Sequence, residues 1–121
     1  MTTEIERPAD EDIVDILVIG GGPAGATAAL YAARAGRTCR VVDKGIASGA
    51  LGMSREISNF PGLIAPVPGA HVVASLRAQA ERYGAVFSAD RVTAATLDGP
   101  VKMAWGAKGA YQGRAMIVAT G

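Results

Sequence analysis

Cysteine, histidine and tryptophan each occur only once in this 121-residue chain. A lone cysteine, Cys39, excludes an internal disulfide and a Cys-x-x-Cys redox pair, and its place in an apolar stretch reads as packing. With His71 the only histidine, neither a metal-spaced Cys/His cluster nor a Ser-His-Asp set is in view, and a position near a helix start reads as solvent-exposed or capping. Excess charge is missing too. Twelve basic residues face 11 acidic ones, which excludes the strongly basic surface of a nucleic-acid binder. No apolar run reaches the ~20 residues that cross a bilayer, so no membrane partner is expected. The amino end, Met1 to Asp12, is acidic and polar and lacks the basic and apolar regions of a secretion signal. Residues 1–12 therefore read as a flexible acidic tail on a cytoplasmic protein, ahead of one domain over residues 13–121.

Glycine, by contrast, is abundant at 16 residues. Its most informative use lies in Asp15-Ile16-Leu17-Val18-Ile19-Gly20-Gly21-Gly22-Pro23-Ala24-Gly25, where an apolar strand runs directly into a glycine turn and an alanine-rich helix. In this G-x-G-x-x-G pattern Gly20 permits the tight turn and Gly22 lets the backbone approach phosphates with no Cβ in the way. Gly25 lets the helix pack closely on the strand. Pro23 and Ala24 open the helix, whose free N–H groups face an anion. The pattern alone is weak, but a second strand follows and ends in an acid, Asp43. That is roughly twenty residues on, the spacing of a group that hydrogen-bonds an adenosine ribose. The sequence predicts a dinucleotide pyrophosphate on this turn.

The remaining periodicity predicts an α/β fold: a Rossmann-like parallel sheet with an antiparallel β ribbon. Ile13 to Ile19 is a nearly continuous apolar run, as in a central strand covered on both faces. A helix over Pro23 to Ala35, stopped by Gly36, and a strand over Arg37 to Asp43 complete a βαβ unit. Lys44 to Pro68 is irregular and long enough to be functional. A second helix over Ala70 to Tyr83 places Val73, Leu76, Ala80 and Tyr83 on one face. Ala85 to Phe87 reads as a third parallel strand, and Arg91 to Gln112 as short antiparallel strands covered by Trp105 and Tyr111. Ala115 to Ala119 then returns to the main sheet, leaving Thr120 and Gly121 at the carboxyl edge, where open α/β sheets bind ligands.

This order of residues resembles the amino-terminal, flavin-binding part of thioredoxin reductases and their relatives in the pyridine nucleotide-disulfide oxidoreductase family. The likeness rests on Gly20 to Gly25, Ser48-Gly49-Ala50-Leu51, Asn59-Phe60-Pro61-Gly62, Gln79-Ala80 with Tyr83-Gly84-Ala85, and Ile117-Val118-Ala119-Thr120-Gly121. The resemblance implies FAD, with its pyrophosphate on Gly20, Gly22, Pro23, Ala24 and Gly25, and its adenosine ribose at Asp43 and Lys44. Gly49 and Leu51 would lie along the ribityl and flavin end, with Asn59 beside the isoalloxazine ring. Thr120 and Gly121 would bring backbone near the cofactor, and Val92 would meet the adenine through its backbone. Where the family commonly has Gly-Gly-Gln-Leu this chain has Ser48-Gly49-Ala50-Leu51, without the glutamine. Thioredoxin reductases often lack an acid at the end of the second strand, so Asp43-Lys44-Gly45 resembles many other FAD enzymes more.

In the family, an NADPH-binding domain carrying a Cys-x-x-Cys pair follows, and a carboxyl segment then returns to complete the FAD domain. The resemblance thus implies an incomplete FAD-binding domain with no catalytic residue of its own and no visible site for NADH or NADPH. Its parent would pass electrons from NAD(P)H through FAD to a disulfide or another acceptor. An open sheet edge implies a homodimer or a complementing second chain. A FAD-dependent monooxygenase or a geranylgeranyl-reductase-like enzyme shares the opening motif, but the Asn59-to-Gly62 turn and the early Ala-Thr-Gly speak against both. A plain NAD dehydrogenase expects regular βα units in place of the long loop and ribbon. The remaining alternative is a non-catalytic nucleotide-binding fragment.

Overall fold

The computed structural model describes residues 12–45 and 49–121. All of the tail expected over residues 1–12 except Asp12, and Ser48 in the loop, lie outside the described residues. Strand β1 (Ile13–Ile19) leads into helix α1 (Pro23–Arg34) and strand β2 (Cys39–Asp43). Leu17 and Val18 point to opposite faces of β1, yet both are fully buried, which is why the strand is apolar at successive positions. Helix α1 starts with Pro23, whose missing N–H has no intrahelical partner to lose, and stops at Gly36, whose φ of +81° suits the left-handed C-terminal position.

A short helical turn, α2 (Ala50–Met53), interrupts the segment read as irregular, and α3 (Gly69–Arg82) follows. The loop between them is closed by paired backbone bonds of 2.7 and 3.1 Å joining Ile57 to Val67. Helix α3 buries Val72, Val73 and Ala80, while Tyr83 stands 47% exposed. The face expected from periodicity is therefore rotated. Helix α3 packs chiefly on α1 and α2 rather than squarely on the sheet, so the stripe that matters faces two helices.

Strands β3 (Val86–Ala89), β4 (Val92–Thr96), β5 (Lys102–Gly106) and β6 (Gly109–Val118) complete one six-stranded sheet in the order β3-β2-β1-β6-β5-β4. The pairs β3–β2, β2–β1 and β1–β6 are parallel, and β4–β5 and β5–β6 are antiparallel. The chain read as a ribbon strand ending near Gln112 and a separate return strand is one continuous β6. Its first half pairs with β5 up to Gly113, and its second half runs beside β1 as far as Val118. Gly113 sits where the partner changes, and an added Cβ there would lie 2.6 Å from the Leu17 Cβ. The tight approach needs glycine, and a glycine inside a strand gives no sequence cue that the strand continues.

Two apolar clusters lie on the two faces of the parallel sheet. Val18, Cys39 and Val41 pack with Ala29, Ala33 and Ala80 of the helices. Leu17, Ile19 and Val42 pack with Ala104 of β5, flanked by Val92, Tyr111 and Met116. The antiparallel ribbon thus curls over the face opposite the helices, and the carboxyl ends of β1, β2 and β6 come together at one edge.

Two neutral groups, buried Cys39 and partly buried Tyr111, make this fold sensitive to alkali. Burial pushes the Cys39 thiol from 9.0 up to about 11. Burial, and donation of its hydroxyl to Asp90 over 2.7 Å, push Tyr111 from 10.0 up to about 12. A raised acid pKa stabilises the fold fully below the unfolded value and loses that contribution as pH rises through the folded one. Urea unfolding against pH should show stability falling from about pH 9 to 11 through Cys39 and from about pH 10 to 12 through Tyr111. Cys39→Ala should remove the lower part of that decline and Tyr111→Phe the upper.

Candidate functional site

The site begins where β1 ends. Gly20 has φ +103°, its N–H donates to the Val42 carbonyl over 2.9 Å, and an added Cβ would lie 2.1 Å from the Ala119 carbonyl oxygen. Backbone conformation and space both demand glycine. At Gly25 an added Cβ would lie 1.7 Å from the Gly20 carbonyl oxygen, so the first turn of α1 rests directly on the end of β1. Gly22 differs: its φ is −75°, and an added Cβ meets none of the described residues within 4 Å. The space in front of it is open, while the space behind its neighbours is full.

Helix α1 carries no side-chain cap and no acid in its first turn. Its amino-terminal N–H groups therefore lack side-chain acceptors among the described residues, and the partial positive charge of the helix end is left for an anion. Gly20, Gly22, Pro23 and Ala24 line a cavity of about 340 Å³, closed on its other sides by Asp43 and Lys44, Gly49 and Leu51, Val73 of α3, and Thr120 and Gly121. Its volume is in the range of small-molecule sites. Gly25 is buried behind it.

Asp43 is heavily used by the protein itself. Its Oδ1 accepts from the Gly21 N–H at 2.9 Å, and its Oδ2 accepts from the Gly45 N–H at 3.0 Å and from Arg77 Nη2 at 3.1 Å. Only 12% of the Asp43 side chain and 14% of the Arg77 side chain remain exposed. A second cavity, of about 290 Å³, lies on the ribbon side and shares Gly20, Asp43, Lys44 and Thr120 with the first. Val92 lines it, together with Asp90 and Arg91. The two cavities form a groove along the carboxyl edge, with the glycine turn between them.

Asp90 shapes that second cavity. Its N–H donates to the Asp43 carbonyl over 3.0 Å, and its carboxylate accepts from Tyr111 Oη at 2.7 Å, the Lys108 N–H at 3.0 Å and the Arg91 N–H at 2.7 Å. The Tyr111 hydroxyl first, and the backbone donors after it, hold this carboxyl below its ordinary range. Asp90 thereby ties the end of β2 to the ribbon. Asn59 lies elsewhere: it is exposed in the loop between α2 and α3 and lines neither cavity, next to a turn in which the Leu63 N–H donates to the Phe60 carbonyl over 3.1 Å.

Sequence reasoning missed Arg77, Val73 and Asp90. Nothing local to Arg77 marks it, because its partner is 34 positions away. Asp90 had one usable sign, an acid placed between two strands where a turn would otherwise be short and featureless. Gly69 was missed as well. Its added Cβ would lie 1.7 Å from the Leu51 carbonyl oxygen, and this close approach of α3 to α2 brings Val73 to the cavity.

Residues 14–121 match the family model of the pyridine nucleotide-disulphide oxidoreductases. The chain is 38% identical over 112 residues to the thioredoxin reductase of Aquifex aeolicus, covering 92% of this chain and 35% of that protein. It is 43% identical over 114 residues to the bifunctional thioredoxin reductase/thioredoxin of Mycobacterium leprae, covering 93% and 25%. The solved thioredoxin reductase of Gloeobacter violaceus superposes with a TM-score of 0.87 at 39% identity, over 89% of this chain and 34% of that one. The chain spans about a third of the length of most thioredoxin reductases it matches.

The two glycines that flank the helix start should respond oppositely to a methyl group. Gly25→Ala should destabilise the fold by at least about 1–3 kcal/mol, because neither backbone can yield without moving α1 off β1. Gly22→Ala should stay within about 1 kcal/mol of the parent, the scale of a changed helix cap. Urea denaturation of the two variants beside the parent checks both values.

Proposed function

This chain belongs to the pyridine nucleotide-disulphide oxidoreductase family, and on that footing we propose that it is the FAD-binding portion of a thioredoxin-reductase-like oxidoreductase. The observation that carries the reading is the uncapped start of α1 behind a glycine turn, opening on a groove at the carboxyl edge of a parallel sheet. When bound, FAD supplies the chemistry: it takes up a hydride from NADH or NADPH and hands two electrons to a disulfide or another acceptor.

The residues present fit that group. Gly22 leaves the space a phosphate needs, and the N–H groups of the first helical turn supply donors for it. On this reading Asp43 and Lys44 face the adenosine ribose, and Val92 meets the adenine in the second cavity. Gly49 and Leu51 line the flavin-bearing side, as do Thr120 and Gly121. Asn59, exposed and outside both cavities, is given no contact with the cofactor in this reading. None of the described residues is assigned to hydride or disulfide chemistry, so this portion binds and orients.

The far side of β6 beyond Gly113 has no strand partner among the described residues, and Val118 at its end is 63% exposed. A complementing polypeptide segment, from a longer chain or a second molecule, covers this edge in the working protein.

Flavin absorbance after gel filtration of the chain with added FAD tests the reading. The parent chain should retain yellow flavin. Gly22→Val, which at its Cβ meets no atom of the described residues within 4 Å, should lose at least about tenfold in FAD affinity while its unfolding midpoint stays close to the parent's. A folded parent that keeps no flavin at any FAD concentration would refute the proposal.

A further inference from the structure

We propose that Arg77 is a positioning residue for the adenosine end of the dinucleotide: it holds and neutralises Asp43 so that the carboxylate offers one acceptor to a ribose hydroxyl without repelling the neighbouring diphosphate. The inference rests on the FAD reading of the groove. An ionised carboxylate has about four acceptor positions. Among the described residues, Oδ2 of Asp43 is filled by the Gly45 N–H and Arg77 Nη2, and Oδ1 takes the Gly21 N–H. One position on Oδ1 is left among the described residues, and Asp43 lines both cavities of the groove. The acid can therefore receive one ribose hydroxyl, not two.

Charge makes the arginine necessary. Asp43 hydrogen-bonds the very turn on which the diphosphate rests, so an uncompensated carboxylate there would oppose a doubly charged ligand in a partly buried place. The Arg77 guanidinium lies behind the turn, where an added Cβ on Gly21 would come within 3.0 Å of Nη2. It cancels that charge without entering the cavity. Its Cζ sits 4.6 Å from the centroid of the Phe87 ring, a contact that a planar guanidinium makes differently from a lysine ammonium. Arg77 Nε is buried with no acceptor among the described residues. The arginine thus holds this pose despite a desolvation penalty.

The test uses the 121-residue chain, with FAD binding followed by flavin fluorescence and displacement by ADP, 2′-deoxy-ADP and 3′-deoxy-ADP. In the parent, ADP should outcompete one of the two deoxy analogues by at least about tenfold, the weight of one hydrogen bond to a charged acceptor, and match the other. Arg77→Met should weaken FAD about tenfold and bring both ADP ratios close to one. Asp43→Asn added to Arg77→Met should recover part of the FAD affinity, since the unbalanced charge is gone. Arg77→Lys should recover affinity but not the ratio. Because the ratio does not depend on the folded fraction, a merely structural role would leave it unchanged. If Arg77→Met fails to fold, Arg77→Lys carries the same ratio test. A parent that binds neither FAD nor ADP refutes the proposed function, and this inference with it. A parent that binds FAD but treats all three competitors alike, or a ratio that survives both substitutions, overturns the role of Arg77 alone.

Discussion

The Gly20 carbonyl oxygen occupies the space that a side chain at position 25 would need: an added Cβ at Gly25 lies 1.7 Å away. This contact sets how closely α1 sits on the end of β1, and the rest of the site follows from it. With the helix start pressed against the strand, the first-turn N–H groups come out at the carboxyl edge with no side chain among the described residues to receive them. Gly20 is caught in turn by the Ala119 carbonyl of the chain leaving β6. The turn is thus gripped from both sides, and only Gly22 is free to face outward.

Two acids then wire this edge together. Asp43 ties the glycine turn to the end of β2 and to α3, through the Gly21 N–H, the Gly45 N–H and Arg77. Asp90 ties β2 to the ribbon, through the Asp43 carbonyl and the Tyr111 hydroxyl. Each carboxylate accepts at least three donors, which suits an ionised group in a partly buried place. A bound dinucleotide would enter a groove whose described walls are cross-linked by these bonds, and preorganisation of this kind lowers the entropy lost on binding.

Much of this was legible in the residues. The continuous apolar run of β1, the proline and glycine that bracket α1, and the acid at the end of β2 are short-range signals, and the elements they mark lie within a residue or two of where they were expected. Placement of helix α3 by its apolar stripe was less accurate. Tyr83 was assigned to the buried face, yet it stands 47% exposed while Val72 is buried. An apolar stripe tells that a helix buries one side but not which neighbours it faces, and here the neighbours are α1 and α2. Likewise β6 looked like two strands because Gly113 and Arg114 interrupt its apolar pattern. The strand continues because it exchanges β5 for β1 as a partner.

The sequence by itself determined the parallel βαβ unit, the glycine turn and the chemistry that such a turn can receive, because each depends on residues fewer than about thirty positions apart in one supersecondary unit. Only the tertiary structure decided that the ribbon curls over the second face, that the groove has two connected chambers, and that Asp43 spends most of its acceptor capacity on Arg77 and two backbone N–H groups. Those outcomes depend on contacts between distant segments, such as Arg77 with Asp43 and Asp90 with Tyr111. No local pattern encodes such a contact, since either partner would look like an ordinary charged residue until the fold brought the two together.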